Sequence, residues 1–328
     1  MRALSLYLLA LAASVALYLG MFSVVQRPLT TGSMVQVIQA KSAYARTLAR
    51  PRLLVFAGSN GRYSHRCSAL TQATGLPCAN LSLAVGVGLD FQLQQFEPEL
   101  GRGDLLYLPL EYGQYSASRD EMDSGAQNAA LVHDLRHQLW QLPALRIARA
   151  LGSFDLPYLV HGVVEMGLAR TGFRRGNAIG NSTPQGDEKD HTEAASVAYL
   201  EFLRAAVFDS RPLPQSSHAM DVVAGFLQRM KLRGVLVVGG LPSTPDNAAL
   251  DAAGIERVRQ LFLRQGQLFV ALPNRSQYPL ACFHDTLYHL NEECQIAHSL
   301  AIGAALADAV KQVKQQATAA VGGAALER

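Results

Sequence analysis

Two short segments far apart in the chain carry the residue types of nucleophilic catalysis. Gly58-Ser59-Asn60 comes early, and Phe283-His284-Asp285-Thr286-Leu287-Tyr288-His289-Leu290-Asn291 lies near the C-terminus. A serine hydroxyl is a poor nucleophile near neutral pH and needs a base such as imidazole. The imidazole in turn needs a carboxylate to fix its tautomer and stabilise its charged form. Ser59 offers the hydroxyl, His289 the base and Asp285 the carboxylate, and the last two are close enough for one loop to supply both. Taken singly, Ser59 reads as a helix N-cap, and Asp285 and His289 as a capping aspartate and a surface histidine. Their co-occurrence is what points to acyl transfer.

These groups need a scaffold that brings residue 59 to residue 289. Arg52-Leu53-Leu54-Val55-Phe56-Ala57 is an apolar run between Pro51 and Gly58, which predicts a strand buried on both faces, followed by a turn and a helical stretch through about Gly75. Further strands are expected at Leu76 to Leu83, Leu105 to Leu110, Gly234 to Gly239 and Gln267 to Ala271. Helical spacing separates the later ones: Val222, Val223, Phe226, Leu227 and Met230 share a face, as do Ile255, Val258, Leu261 and Phe262. A last helix is expected from Glu292 to Val313 with Ile296, Leu300, Gly303, Ala307 and Val310 on its buried side. Short buried strands alternating with amphipathic helices imply an α/β fold, a mostly parallel sheet with helices on both faces. In such sheets reactive groups gather beyond the carboxyl ends of the strands, which is where Ser59 falls. Gly58 lets the backbone turn sharply, so that Ser59 presents both its hydroxyl and its N–H.

The 328 residues suffice for one large core with an inserted subdomain. Residues are 49% hydrophobic and only 17% charged, which argues against a disordered chain. Part of that bias lies between Ala3 and Val25, which carry no charge and as a helix would cross the ~30 Å hydrocarbon layer. The run continues through Gly20 to Val25 without a small-x-small cleavage site, so an uncleaved anchor over 1–26 is expected rather than a signal peptide. A polar spacer, 27–50, precedes the domain at 51–314. Residues 113–215 lack a convincing strand and read as a helical insertion, interrupted by a polar mobile loop from Arg174 to His191; 315–328 reads as a flexible tail. The net charge of +3 is dispersed, so nucleic acid is not expected as a partner. Four cysteines allow three pairings, and their two close-spaced pairs suit Cys67–Cys78 and Cys282–Cys294, which favours an extracytoplasmic face.

Gly58-Ser59-Asn60 after the first strand, with Asp285 and His289 on a late loop, resembles the SGNH/GDSL hydrolase superfamily. The likeness is closer to its bacterial cell-envelope branch, the alginate O-acetyltransferases and D-alanyl-lipoteichoic acid transfer proteins, and covers roughly residues 50–112 and 234–310. It implies Ser59 as nucleophile, His289 as general base and Asp285 as its orienting partner. Oxyanion donors would be the Ser59 amide and Gly86 or Gly88; Asn60 beside Ser59, and Glu111 and Tyr112 by their place at the end of the third strand, are expected to contact substrate, with packing the alternative for Tyr112. It further implies a single-pass inner-membrane protein facing the periplasm, with no cofactor. Its substrates would be an acyl donor and an exported polysaccharide acceptor, and its partner a multi-spanning membrane O-acyltransferase. A carbohydrate esterase and a non-catalytic glycan-binding scaffold are the rival readings. Two departures stand out. The pair is spaced Asp-x-x-x-His where the superfamily has Asp-x-x-His, and its Gly-x-Asn-Asp block is replaced by Leu108-Pro109-Leu110-Glu111-Tyr112.

Other polar pairs carry weaker signals. His133 and His137, and likewise His161 and Glu165, have the i, i+4 spacing of metal ligands but no third ligand, so a solvated face is expected and no metal. His65 reads as a helix-surface histidine with pocket lining as its alternative, Tyr115 as packing, and Trp140 as a core residue or a sugar platform.

Overall fold

The computed structural model describes residues 2–123, 126–173, 181–209 and 211–326. The chain forms two compact units: Met1–Val37 with Gly86–Gly88 and Asp123–Gly180, and Ile38–Val85 with Leu89–Met122 and Asn181–Arg328.

The first unit is helical. Its Arg2–Val24 helix is long and apolar enough to cross a membrane, a test that a signal sequence also passes. The C-terminal end of that helix is anchored: Phe22 stacks on Phe154 at 4.3 Å, and the Tyr18 hydroxyl donates to the Phe154 carbonyl. Glu165, on the Leu156–Arg170 helix, accepts from Arg27 Nε, Thr30 Oγ1 and the Leu29 and Thr30 amides, so its carboxylate closes the turn after the apolar helix. His133 ends one short helix and His137 lies in the next, which removes their shared face. Trp140 is exposed.

The second unit holds the sheet. β1 (Arg52–Val55), β2 (Cys78–Asn80), β3 (Asp104–Leu108), β4 (Leu236–Gly239) and β6 (Leu268–Phe269) are all parallel in the order β2-β1-β3-β4-β6; β5 (Thr244–Pro245) and β7 (Gln277–Tyr278) pair separately. Alternate residues of a strand face opposite sides. Leu53, Val55, Leu105, Tyr107, Leu236 and Val238 pack with Leu70, Ile302, Leu306 and Val310. A Cβ on Gly239 would meet Phe262, so the Ala252–Arg264 helix lies on the other face, beside the His218–Leu232 helix. From β1 the chain moves to β2 on one side and then crosses to β3 on the other. That makes the gap between the carboxyl ends of β1 and β3 the switch point where such sheets bind ligands.

Three expectations change. The last helix is two, Glu292–Ala305 and Ala307–Leu326, the second covering most of the stretch read as a flexible tail. Ile296 and Leu300 are exposed, and the buried face instead carries Gln295, His298, Ser299 and Ile302. That face is polar because it holds the helix after β1: Ser299 Oγ accepts from the Arg66 amide and Gln295 Nε2 donates to the Arg62 carbonyl. Finally, Asn181–His191 of the expected mobile loop is fastened down, while 174–180 lie outside the described residues. Asp187 and Glu188 are buried, Glu188 pairs with Arg62, and buried Lys41 donates to the carbonyls of Asn80 and Gly186.

Candidate active site

The site is built where the switch point would place it. β1 ends at Val55, and after Phe56-Ala57-Gly58 the chain enters the short Ser59–Ser64 helix. Gly58 is required sterically: a Cβ there would lie 2.5 Å from Val85 Cγ2 and 2.8 Å from Glu111 Oε1. The amides on either side of Ser59 are both engaged, Gly58 N–H with Gln114 Oε1 at 3.2 Å and Asn60 N–H with Glu111 Oε1 at 3.3 Å. The half-buried Ser59 is different, since neither its N–H nor its hydroxyl has a hydrogen-bond partner among the described residues. One backbone N–H and one hydroxyl are thus left available at a helix N-terminus.

Asp285 and His289 meet as the sequence requires. His289 Nδ1 lies 2.6 Å from Asp285 Oδ1. The extra residue between them is absorbed by a closed loop: Phe283 and Leu290 form an antiparallel bridge, and the His284 amide donates to the His289 carbonyl at 2.8 Å. Two devices clasp its base. Cys282 is bonded to Cys294, with Cα atoms 5.6 Å apart, and Asn291 accepts from the Cys294 amide while donating from Nδ2 to the Ala281 carbonyl. Burial pushes the Asp285 carboxyl up, but the hydrogen bond and charge of His289 outweigh it and hold it below its ordinary value. An ionised carboxylate at this distance favours the tautomer with its proton on Nδ1.

The Ser59–Ser64 helix and this loop are joined by contacts the sequence did not announce. Tyr63 stacks on His289 with centroids 4.0 Å apart and planes 6° from parallel. Tyr63 follows Ser59 by four residues, about one helical turn, a spacing that puts the two on the same side of the helix. Ser64 Oγ lies 2.6 Å from Ser243 Oγ, and Ser243 Oγ donates to the Tyr288 carbonyl at 2.9 Å while accepting from Ser64. The Cys67–Cys78 disulfide ties the following helix to β2. Around Tyr63 gather His191, edge-on at 5.1 Å, and His284, whose Nδ1 meets Ser196 Oγ at 2.9 Å. Burial lowers both histidines, His191 to about 4.

Other expected site residues have varied fates. Asn60 is fully buried and its Nδ2 donates to the Pro109 carbonyl, so its side chain braces the turn. Glu111 is buried beside that turn, Tyr112 is half-buried next to it, and Tyr115 is core. Gly86 and Gly88 belong to the first unit; a Cβ on Gly86 would meet open space, and Gly88 has φ +85°, a conformation that favours glycine. His65 is neither surface nor pocket lining: it is fully buried against Tyr107 and His298. Tyr63 and Gln114 were missed. Both follow a recognised residue by a helical step, Ser59 to Tyr63 and Glu111 to Gln114, which is the signal that finds them.

Among the described residues no cluster of three or more His, Cys, Asp or Glu side chains could hold a metal. No family model and no curated protein matches the chain. A solved structure that resembles it is the crystal structure of the protein YxiM from Bacillus subtilis, 11% identical, with a TM-score of 0.38. The likeness covers 79% of this chain and 56% of that one, so the chain spans little more than half of its neighbour's length.

Proposed function

We propose that the chain is a membrane-anchored serine acyl-transfer enzyme of SGNH type, with its catalytic domain in the periplasm, acting as an O-acetyltransferase on an exported polysaccharide. The observation that carries this reading is the Asp285–His289 pair stacked against Tyr63 of the helix that begins with Ser59. Ser59 Oγ attacks the acyl carbonyl while its proton passes to His289 Nε2, and the leaving group takes that proton as the acyl–Ser59 ester forms. The negative charge on the carbonyl oxygen is met by the unengaged Ser59 N–H. A sugar hydroxyl then gives its proton to His289 and attacks the ester, and Ser59 recovers the proton as it leaves. Asp285 stays ionised throughout and stabilises the imidazolium.

Two disulfides support an oxidising compartment and hence a domain outside the cytoplasm, and the apolar Arg2–Val24 helix supports anchorage. A multi-spanning membrane O-acyltransferase would supply the acyl groups. Water in place of the sugar makes the same triad an esterase. The test uses the full chain in detergent with p-nitrophenyl acetate and acetyl-accepting oligosaccharides. A transferase acetylates the oligosaccharide faster than it releases acetate, an esterase does the reverse, and Ser59→Ala abolishes both. Undiminished turnover by folded Ser59→Ala would refute Ser59 as the nucleophile, and a folded wild type without turnover would leave a scaffold.

A further inference from the structure

Glu111 follows β3 and lies beside the turn that carries Ser59. It is buried, it holds the amide next to Ser59, and among the described residues it has no cationic partner. The donors around it are neutral: Asn60 N–H at 3.3 Å and, in a capping box, the Gln114 backbone N–H, while Gln114 turns its Oε1 to the Glu111 and Gly58 amides. The titratable neighbours are His289 and Tyr288 of the late loop, and Tyr112 beside it in sequence. Burial keeps both phenols protonated well above neutral pH, and His289 must be neutral to act as a base. A carboxylate here would be a buried charge without a counter-ion. It would also lie beside the point where negative charge develops during acyl transfer.

We infer that Glu111 is a positioning residue that works as an uncharged carboxylic acid, gripping the turn around Ser59 without bringing negative charge to the oxyanion. This rests on the reading of Ser59 as nucleophile. Burial raises the Glu111 carboxyl above its ordinary range, against the smaller opposing effects of the Asn60 amide and His289, in agreement with that state. The consequence is a loss of turnover on the alkaline side, as Glu111 ionises.

The conservative variant separates this role from simple packing. Glu111→Gln keeps the shape and an oxygen acceptor for Asn60 N–H but cannot ionise. In the full chain in detergent, with p-nitrophenyl acetate and the uncatalysed rate subtracted, Glu111→Gln should stay within about threefold of wild-type kcat near neutral pH. It should also lose the alkaline fall. Glu111→Ala should drop kcat roughly tenfold with little change in KM. A folded Glu111→Gln that is as impaired as Glu111→Ala, or that retains the alkaline fall, overturns the inference. Infrared difference spectroscopy of the full chain provides a test that needs no turnover. A band of a protonated carboxyl at neutral pH, absent from Glu111→Gln, is expected; its absence from the wild type also overturns the inference. Ser59→Ala keeps the two ideas apart. If Ser59→Ala retains turnover, the parent reading falls; if it is inactive while Glu111→Gln fails, only the role of Glu111 falls.

Discussion

His289 and His298 flank the start of one helix, and His65 follows Ser59 closely in sequence, yet their environments are opposite. His289 has a carboxylate on Nδ1, a tyrosine ring against its face and, among the described residues, no hydrogen-bond partner on Nε2. His298 has a phenol, Tyr278, at 2.7 Å from Nδ1, and its Nε2 is buried without a partner. His65 is sealed, and neither ring nitrogen has a partner among the described residues. The difference teaches what makes a histidine a base. It needs an ionised neighbour that rewards protonation and an open nitrogen facing the reacting atoms, whereas proximity in sequence to a serine supplies neither.

The sharpest way to break this contrast is to exchange its defining features. Asp285→Asn removes the ionised partner with little change in shape and should lower turnover by about 10⁴-fold, with thermal unfolding barely moved. His65→Leu should alter turnover less than tenfold. Reversal of these two results in steady-state kinetics would dissolve the distinction.

Acid stability separates the same groups. Burial pulls His65 and His298 below 6.5, His298 to about 3, with the His298 charge adding to the effect on His65. Between those values the unfolded chain binds more protons than the folded one, so stability is full above pH 6.5 and falls as pH drops toward 3. The loss should be on the order of a few kcal/mol. Urea unfolding midpoints against pH should show it, and His298→Leu should flatten the curve; a curve unchanged by that substitution would count against the burial argument.

Disulfides offer a third comparison. Reducing either bond should cost about 2–4 kcal/mol in denaturant unfolding. Because Cys282–Cys294 clasps the loop of His289, Cys282→Ser should lose more turnover than Cys67→Ser does at matched destabilisation. The smallest effect concerns the ring contact. Tyr63→Phe preserves the stack and should keep kcat within about twofold, while Tyr63→Ala should lose roughly two- to tenfold, read from kcat and the acid limb of the pH profile.

What was legible in the sequence had local signatures. An apolar run broken by Gly58 marks β1 and its turn, and closely spaced cysteines mark both disulfides. Asp285 and His289 are near enough in the chain to be read as a pair despite the unusual spacing. What was not legible depends on polar contacts between distant segments, which leave no periodicity. The buried face of the Glu292–Ala305 helix was misread because apolar spacing favoured Ile296 and Leu300, whereas Gln295 and Ser299 are drawn inward by Arg62 and Arg66. For the same reason Asn181–His191 looked like a free loop, although Lys41, Arg62 and the Cys67 amide hold it. The strands after β1 were drawn too long: β2 is only Cys78–Asn80, and β6 only Leu268–Phe269, because apolar residues continue past the last ladder bonds.

The central claim is that Ser59 is a nucleophile activated by the Asp285–His289 pair. Labelling of the full chain with a fluorophosphonate, with the adduct mapped by mass spectrometry, tests it most directly. One adduct per chain on Ser59, absent in Ser59→Ala and slowed at least a hundredfold in His289→Ala, is the predicted result. An adduct on another residue, or equal labelling of Ser59 with and without His289, would contradict it.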